Sequence, residues 1–528
     1  MRAITARLQA SDWMGAAALA EAALAAGDRG PLLNKLRALA RHRAGRWVEA
    51  ADDLRVALAA WPQDFSAWNM LGMCEARAGR PGPAIQASDR ALALKPDYAP
   101  ALINKAWALE LMGEVGAARA AYLAAEALDP ADPRAGAGLA LLDARAGDWG
   151  MARARAASVL ARQPGHAAAE VAMAMAVLGE GDALDGLDRF ERLLSRPDLD
   201  PHQAAVAEGQ RGDALDKLGR PAEAFAAFAE ANRRLAALYP QGERESGSAK
   251  ARRLADAFAA LREPPAPERS PDPHRPPVTG HVFLLGFPRS GTTLLGQALD
   301  AHPVVTTLDE RENLAEAAQA FLEPPDGLAR LVEAPSAQIN HLRATYWRRV
   351  AQGAPDLAGK VFVDKLPLNT LGLPLIGRLF PQAKVIFMRR DPRDVVLSSF
   401  RQRFVADPST ADFATLAGAA RFYDAVMTLA DVYRARLPLD IHDQSYEALT
   451  ADFEGQTRAL CAFLGVDWDP AMEAFSGRAK AVATPSAAQL ARGLYREGAG
   501  KWRRYAAQMR DVLPILEPWA ARLGYEAA

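Results

Sequence analysis

The sequence predicts two architectures in series: an all-α solenoid of helical hairpins, then an α/β domain built on a mostly parallel sheet. Three observations carry this. A fixed 34-residue spacing runs through the first 165 residues, seven prolines fall within residues 263–280, and apolar strand-like runs alternate with amphipathic helical stretches beyond residue 281. At 528 residues the chain is long for one domain, and its 50% hydrophobic content supplies a large core.

The spacing recurs in four columns. Pro62, Pro96, Pro130 and Pro164 stand 34 residues apart, as do Gly45, Gly79, Gly113 and Gly147. Ala50, Ala84, Ala118 and Ala152 keep the interval, and small residues recur at Ala38, Gly72, Ala106 and Ala140. Small residues such as Gly72 and Ala84 let the two helices of a hairpin approach closely. The glycine turns the chain between them, and the proline stops the second helix. A unit around Gly212, Gly219, Ala224, Phe228 and Ala231 is displaced from this register by four residues. A 34-residue helix–turn–helix period with a closing proline resembles the tetratricopeptide repeat (TPR), and Trp68, Leu71, Gly72, Ala84, Ala91 and Pro96 match it in one unit. The expected organisation is a TPR domain over 1–240, a capping helix and Pro-rich linker over 241–280, and the α/β domain over 281–528. The TPR resemblance implies a groove that takes a protein or peptide partner.

Charge and composition exclude several classes. A formal net charge of −1 gives no electrostatic case for nucleic acid or an acidic membrane surface. Two cysteines, Cys74 and Cys461, imply no disulfide framework and fit a reducing compartment. The Ala-rich N-terminal stretch carries Arg2, Arg7, Asp12 and Glu21 and has no continuous apolar core, so a cytoplasmic protein without a membrane span is expected.

The chemistry is concentrated in two strand–loop–helix units. In the first, the apolar run Val282–Leu285 breaks into Gly286-Phe287-Pro288-Arg289-Ser290-Gly291-Thr292-Thr293, and a helical pattern resumes at Leu294. Such a loop turns successive backbone N–H groups towards an anion at a helix N-terminus. It is P-loop-like, yet Thr292 stands where a Walker A loop has the Lys that reaches the outer phosphates of ATP or GTP. A P-loop kinase or NTPase is therefore disfavoured, and Asp364 is the nearest candidate for its second acidic motif. In the second unit, Val385–Met388 leads to Arg389-Arg390-Asp391-Pro392-Arg393, with Asp391 as a helix N-cap, a helix from near Asp394, and Ser398 about one turn later. Arg390 and Ser398 form a second anion site, distinct from the first.

Together the two loops resemble the sulfotransferases that use 3′-phosphoadenylyl sulfate (PAPS), and most closely the tyrosylprotein sulfotransferases and their bacterial TPR-fused relatives. The resemblance implies a 5′-phosphosulfate loop at Arg289, Ser290, Gly291, Thr292 and Thr293, and a 3′-phosphate site at Arg390 and Ser398. It further implies Glu310, seven residues after Pro303, as catalytic base, with Asp309 and Glu312 as neighbouring carboxylates able to take the role. Lys365 of V-D-K-L-P is implied as the catalytic lysine, Ser486 as support for the sulfuryl group, and Tyr446, Tyr495 and Lys501 as nucleotide-binding residues. A third possibility is a TPR scaffold carrying an inactive nucleotide fold. No metal is expected, since no acidic or histidine cluster has ligand spacing. The resemblance implies a hydroxyl acceptor, and leaves open a protein tyrosine, a saccharide or a small molecule. The animal enzymes carry an Arg two residues after the base where this chain has Glu312, and Arg401 and Arg403 flank Gln402, the position of a further 3′-phosphate Arg.

Overall fold

The computed structural model describes residues 2–238, 245–402, 411–477 and 498–527. Two compact units emerge, one of Met1–Leu218 with Ala237–Tyr239 and one of Gly219–Ala236 with Pro240–Ala528.

The first unit is a series of antiparallel helical hairpins. Phe65–Arg77 pairs with Pro81–Leu94, Ala99–Leu111 with Val115–Leu128, and Pro133–Arg145 with Trp149–Arg162. Each hairpin turns on a glycine in the left-handed region, with φ of 72° at Gly79, 75° at Gly113 and 78° at Gly147. Each second helix ends two residues before its proline: Leu94 before Pro96, Leu128 before Pro130, Arg162 before Pro164. The small-residue column has the predicted role. A Cβ on Gly72 would lie 2.7 Å from the Ser88 hydroxyl and 3.1 Å from the Ala84 carbonyl oxygen, so this helix pair packs at glycine contact. The four-residue slip near Gly219 also has a structural cause. Helix Pro201–Lys217 has 17 residues against 13 in Phe65–Arg77, and the four extra residues make just over one helical turn.

In the second unit, five strands form one parallel sheet: β1 (Gly280–Gly286), β2 (Val305–Asp309), β3 (Val361–Lys365), β4 (Lys384–Arg389) and β5 (Asp440–Ser445). The strand order is β2-β3-β1-β4-β5. Val282, Leu284, Val363 and Ile386 are buried with Leu295 and Leu299 of helix Thr292–Asp300, which covers one face. Chain direction across the sheet reverses between β1 and β4, and in open parallel sheets the crevice outside the carboxyl ends at that reversal is where ligands bind.

The segment between the expected domains is built differently from the expected cap and linker. Helix Gly247–Ala259 packs on helix Leu416–Arg434, with Phe258 and Tyr433 edge to face at 4.8 Å. The Pro-rich stretch is strapped to the same unit. Arg343 donates to the carbonyls of Ser270 at 3.0 Å and Glu268 at 3.3 Å, and Arg378 donates to Ala266 at 2.9 Å. Proline-rich backbone offers carbonyls without matching N–H donors, and these two arginines satisfy them. The second helix of the displaced hairpin also belongs here: Asn232 Nδ2 donates to the Phe400 carbonyl at 2.8 Å and Phe225 stacks on Phe400 at 5.0 Å. The first compact unit thus runs to Leu218 and includes Ala237–Tyr239, and the stretch Gly219–Ala236 falls in the second. No helix among the described residues is long and apolar enough to cross a membrane.

The hairpin contact makes a stability prediction. Gly72→Val overpacks the Ser88–Ala84 contact and lowers the stability of the repeat unit by about 1–3 kcal/mol. Gly116→Ala, where an added Cβ meets nothing within 4 Å, leaves it unchanged or slightly higher. Thermal unfolding followed by circular dichroism reads both.

Candidate active site

The first loop is shaped by glycines that no other residue fits. Gly286 ends β1 with φ 148°, and a Cβ there would sit 2.7 Å from the Met388 carbonyl oxygen of β4. Gly291 caps helix Thr292–Asp300 at φ 101°, and its Cβ would strike Tyr446 at 2.6 Å. Both positions combine left-handed backbone with close approach. Ser290, Thr292 and Thr293 are buried behind the turn. The first-turn N–H groups of this helix have no intrahelical acceptors and carry the positive end of its dipole. Thr370, which no motif signals, braces the loop: its hydroxyl accepts from Gly286 N at 3.3 Å and lies 2.9 Å from the Gly286 carbonyl oxygen.

The second loop meets the first. Arg289, itself at φ 72°, donates from Nε to Ser398 Oγ at 3.0 Å, and its carbonyl accepts from Arg390 Nη1 at 3.0 Å. Arg390 also donates from Nη2 to the Gly498 carbonyl at 2.6 Å, and its guanidinium lies 4.6 Å over the Tyr446 ring. The sequence spacing suggests two separate anion sites, but the side chains form one continuous basic strip. The cause is sheet order: β1 and β4 are neighbours, so loops about 100 residues apart in sequence face one another. Burial, and then the adjacent Arg390, pull the Arg289 guanidinium down to about 10, which leaves it cationic at neutral pH. The Arg390 Nε–H is buried with no acceptor among the described residues. A buried donor of this kind is costly unless something binds it.

Helix Pro392–Arg401 starts on the expected Asp391 cap, which accepts from Arg393 N at 2.9 Å; it begins two residues earlier than Asp394. Asp394 instead holds the C-terminal segment, accepting from Gly500 N at 2.6 Å and Trp502 N at 2.8 Å. Burial pushes its carboxyl up to about 6. Arg393 stacks 4.1 Å over Trp502, so Gly498 and Lys501 are carried in a segment fastened to this helix. Arg401 lies 4.7 Å over the Phe228 ring. Ser486, Tyr495 and Arg403 lie outside the described residues.

The third cluster stands at the ends of β2 and β3. Lys365 is fully buried, with Nζ 2.8 Å from Glu310 and 3.2 Å from Asp309. Glu310 is not at a helix start, as its acidic neighbours suggest: it follows β2 at φ 48°, its N–H bonded to the Lys365 carbonyl at 2.7 Å, and the next helix begins at Ala315. Arg289 and Glu310 are two of the three non-glycine residues with positive φ among those described, and such strain collects at functional positions. The Glu310 side chain is 42% exposed, so it meets solvent on one side and Lys365 on the other. Asp309 is pushed above the usual carboxylate range by burial, against the pull of Lys365. Glu312 is exposed.

Beneath this pair Asp364 is fully buried. It accepts from Asn313 Nδ2 at 3.1 Å and the Tyr346 hydroxyl at 2.9 Å, and Tyr346 in turn meets His281 Nε2 at 2.8 Å. These bonds tie the turn carrying Glu310 to β3, and they occupy the residue nearest to the second acidic motif of a P-loop kinase or NTPase. Among the described residues no group of three or more His, Cys, Asp or Glu is arranged to hold a metal ion.

Burial raises Asp364 from 3.8 to about 6. The native state therefore binds more protons than the unfolded state between these values, and stability falls as pH rises through that window. Asp364→Asn removes the charged form while keeping an acceptor for Tyr346. The variant should gain on the wild type by roughly 2–3 kcal/mol between pH 3.5 and pH 8, with no further change above. Parallel thermal melts across that range check it.

Comparison with known proteins fits this geometry. A profile of the sulfotransferase family matches residues 281–470, and a tetratricopeptide-repeat profile matches residues 99–132. An uncharacterized protein of Aquifex aeolicus is 31% identical over 245 residues, which is 45% of this chain and 32% of that protein. Protein-tyrosine sulfotransferase A of Caenorhabditis elegans is 25% identical over 261 residues, 46% of this chain and 67% of the relative. Protein-tyrosine sulfotransferase 1 of Danio rerio is 28% identical over 269 residues, 46% of this chain and 72% of the relative. This chain thus spans about a third of the Aquifex protein's length. The chain joins a region that matches the tetratricopeptide repeat to an α/β domain that matches the sulfotransferase family over residues 281–470.

Proposed function

We propose that the protein is a PAPS-dependent sulfotransferase acting on a hydroxyl acceptor in a reducing, cytoplasmic compartment, with the TPR region recruiting the acceptor or a partner. The observation that carries this reading is the joined basic strip, Arg289–Ser398–Arg390, with its buried Arg390 Nε–H awaiting an acceptor. A nucleotide with anions at both ribose ends suits such a strip: the Gly291–Thr293 turn and Arg289 take the 5′ side, and Arg390 with Ser398 takes the 3′-phosphate. The Tyr446 ring, beneath Arg390, and Lys501 flank the nucleotide in this reading. When bound, PAPS supplies a sulfuryl group on a phosphate leaving group.

The protein's own residues then position groups and stabilise charge. Glu310 has a solvent-facing carboxylate and accepts the acceptor hydroxyl proton. Lys365, buried between two carboxylates, offsets negative charge growing on the bridging oxygen. Asp309 is the second carboxylate in reach of Lys365 and serves to hold its charge. Ser486 is assigned to the sulfuryl oxygens and Tyr495 to the nucleotide by resemblance alone. A kinase reading has less support, since Thr292 replaces the Walker lysine and Asp364 is engaged by Asn313 and Tyr346.

Isothermal titration with PAP, and with ATP or GTP plus Mg²⁺, tests the donor: PAP binds, and Mg²⁺-dependent ATP or GTP binding would overturn the reading. Arg289→Ala weakens PAP binding by about ten-fold or more, the loss of a hydrogen bond to a charged group. Glu310→Ala keeps PAP affinity and lowers ³⁵S transfer from labelled PAPS into a cell extract by roughly 10²–10⁴-fold. Transfer near the wild-type rate in Glu310→Ala would remove the base assignment.

A further inference from the structure

Between the first loop and the Lys365–Glu310 pair lies a short helix that no motif signals. Residues Pro367–Gly372 form a 3-10 helix that begins two residues after Lys365, the last residue of β3. β3 and β1 are neighbours, with Lys365 level with Leu284, so the chain emerging from β3 runs beside the loop that follows β1. Thr370 fixes it there. Its hydroxyl lies 2.9 Å from both the Gly286 and the Pro367 carbonyl oxygens, and it accepts from Gly286 N at 3.3 Å. The Tyr433 hydroxyl donates to the Leu371 carbonyl at 3.3 Å and holds the far end. The helix is therefore pinned at the seam between the two clusters.

Asn369 belongs to this helix, next to Thr370 and four residues after Lys365. Its backbone is satisfied locally, the N–H donating to the Leu366 carbonyl at 3.0 Å. Asparagine in a tight turn ordinarily uses its side chain on nearby backbone. This one does not: Nδ2 is buried with no acceptor among the described residues. The residue as a whole is only partly buried. A desolvated, unpaired amide donor costs stability that a leucine of similar size would avoid. The Arg390 Nε–H, on the neighbouring side of the first loop, is in the same condition.

An open donor at this seam has a definite complement. The first loop takes the 5′-phosphate side of the donor nucleotide and Lys365 takes the bridging oxygen, so the sulfuryl group falls between them. Its outer oxygens accept hydrogen bonds and donate none. A neutral amide can hold them without adding to the positive charge that Lys365 brings. We propose that Asn369 is a further catalytic residue, whose Nδ2–H donates to an outer oxygen of the sulfuryl group and keeps that group in line between acceptor and leaving phosphate. The amide neither gains nor loses a proton. As the new S–O bond forms, the acceptor proton goes to Glu310, and the electron pair of the broken S–O bond stays on the phosphate oxygen. The proposal rests on the reading of the two loops as a PAPS site.

The full-length chain is titrated with PAP and with PAPS in the absence of acceptor, and ³⁵S transfer into a cell extract is measured at saturating PAPS. Asn369→Leu removes the donor and keeps the bulk. It should leave PAP affinity unchanged, weaken PAPS binding by about ten-fold, the loss of a hydrogen bond to a charged group, and lower transfer by roughly 10²-fold. Asn369→Asp has the same outline with an acceptor in place of the donor, and it should weaken PAPS at least as much. A merely structural asparagine would move both nucleotides together. An equal loss for PAP and PAPS, a wild-type PAPS-to-PAP ratio in either variant, or near-wild-type transfer in Asn369→Leu would overturn the proposal and leave the donor reading standing. Failure of the wild type to bind PAP would overturn the donor reading, and this proposal with it.

Discussion

Two guanidinium groups that repel one another, Arg289 and Arg390, are held side by side at the carboxyl ends of β1 and β4, and much of the α/β domain serves to keep them there. The adjacency of those strands brings the loops together. Gly286 lets β1 run hard against β4, and Gly291 lets the helix start approach Tyr446. Ser398 takes the Arg289 Nε–H, the Tyr446 ring lies under Arg390, and the Gly498 carbonyl takes an Arg390 N–H. Asp394 secures the segment that delivers Gly498 and Lys501. Neutral acceptors and an aromatic face hold these two cations, the Glu310 and Asp394 carboxylates act on them from further off, and an anion complements them.

A second pole stands at the ends of β2 and β3, where the charge order is reversed: one buried lysine meets two carboxylates. Lys365 and Glu310 are coupled directly at 2.8 Å, and the backbone N–H of Glu310 is bonded to the carbonyl of that same lysine. The unfavourable backbone of Glu310 is thus fixed by β3, and Asp364 adds a second tie through Asn313. Side chain and main chain position the carboxylate together. Because all strands run parallel, this acid–base pole and the basic strip share one edge of the sheet.

How much of this was legible in the sequence depends on whether a feature is local. The 34-residue columns identified the hairpins, since a turn glycine, a stop proline and a small contact residue each act within one repeat. The Asp391 cap and the phosphate-type loop were legible for the same reason. Tertiary features were hidden. Nothing in the spacing of Arg289 and Ser398 says that their side chains touch, because that follows from strand order. The Pro-rich stretch reads as a linker until Arg343 and Arg378 are seen to bind its carbonyls. Helix Pro221–Leu238 carries the repeat's small and aromatic residues, yet Asn232 and Phe225 engage Phe400. Thr370 and Asp394 gave no motif signal. Each acts through one hydroxyl or carboxylate placed by its neighbours.

Recognition of a 3′-phosphate by Arg390 is the central contact of the proposed donor site, and its most direct measurement is the affinity difference between PAP and AMP in the wild type and in Arg390→Ala. A charge-assisted contact to a buried donor predicts that the wild type prefers PAP by about ten-fold or more, and that Arg390→Ala loses most of that preference. Equal affinity of the wild type for the two nucleotides, or a preference that survives in Arg390→Ala, would contradict it.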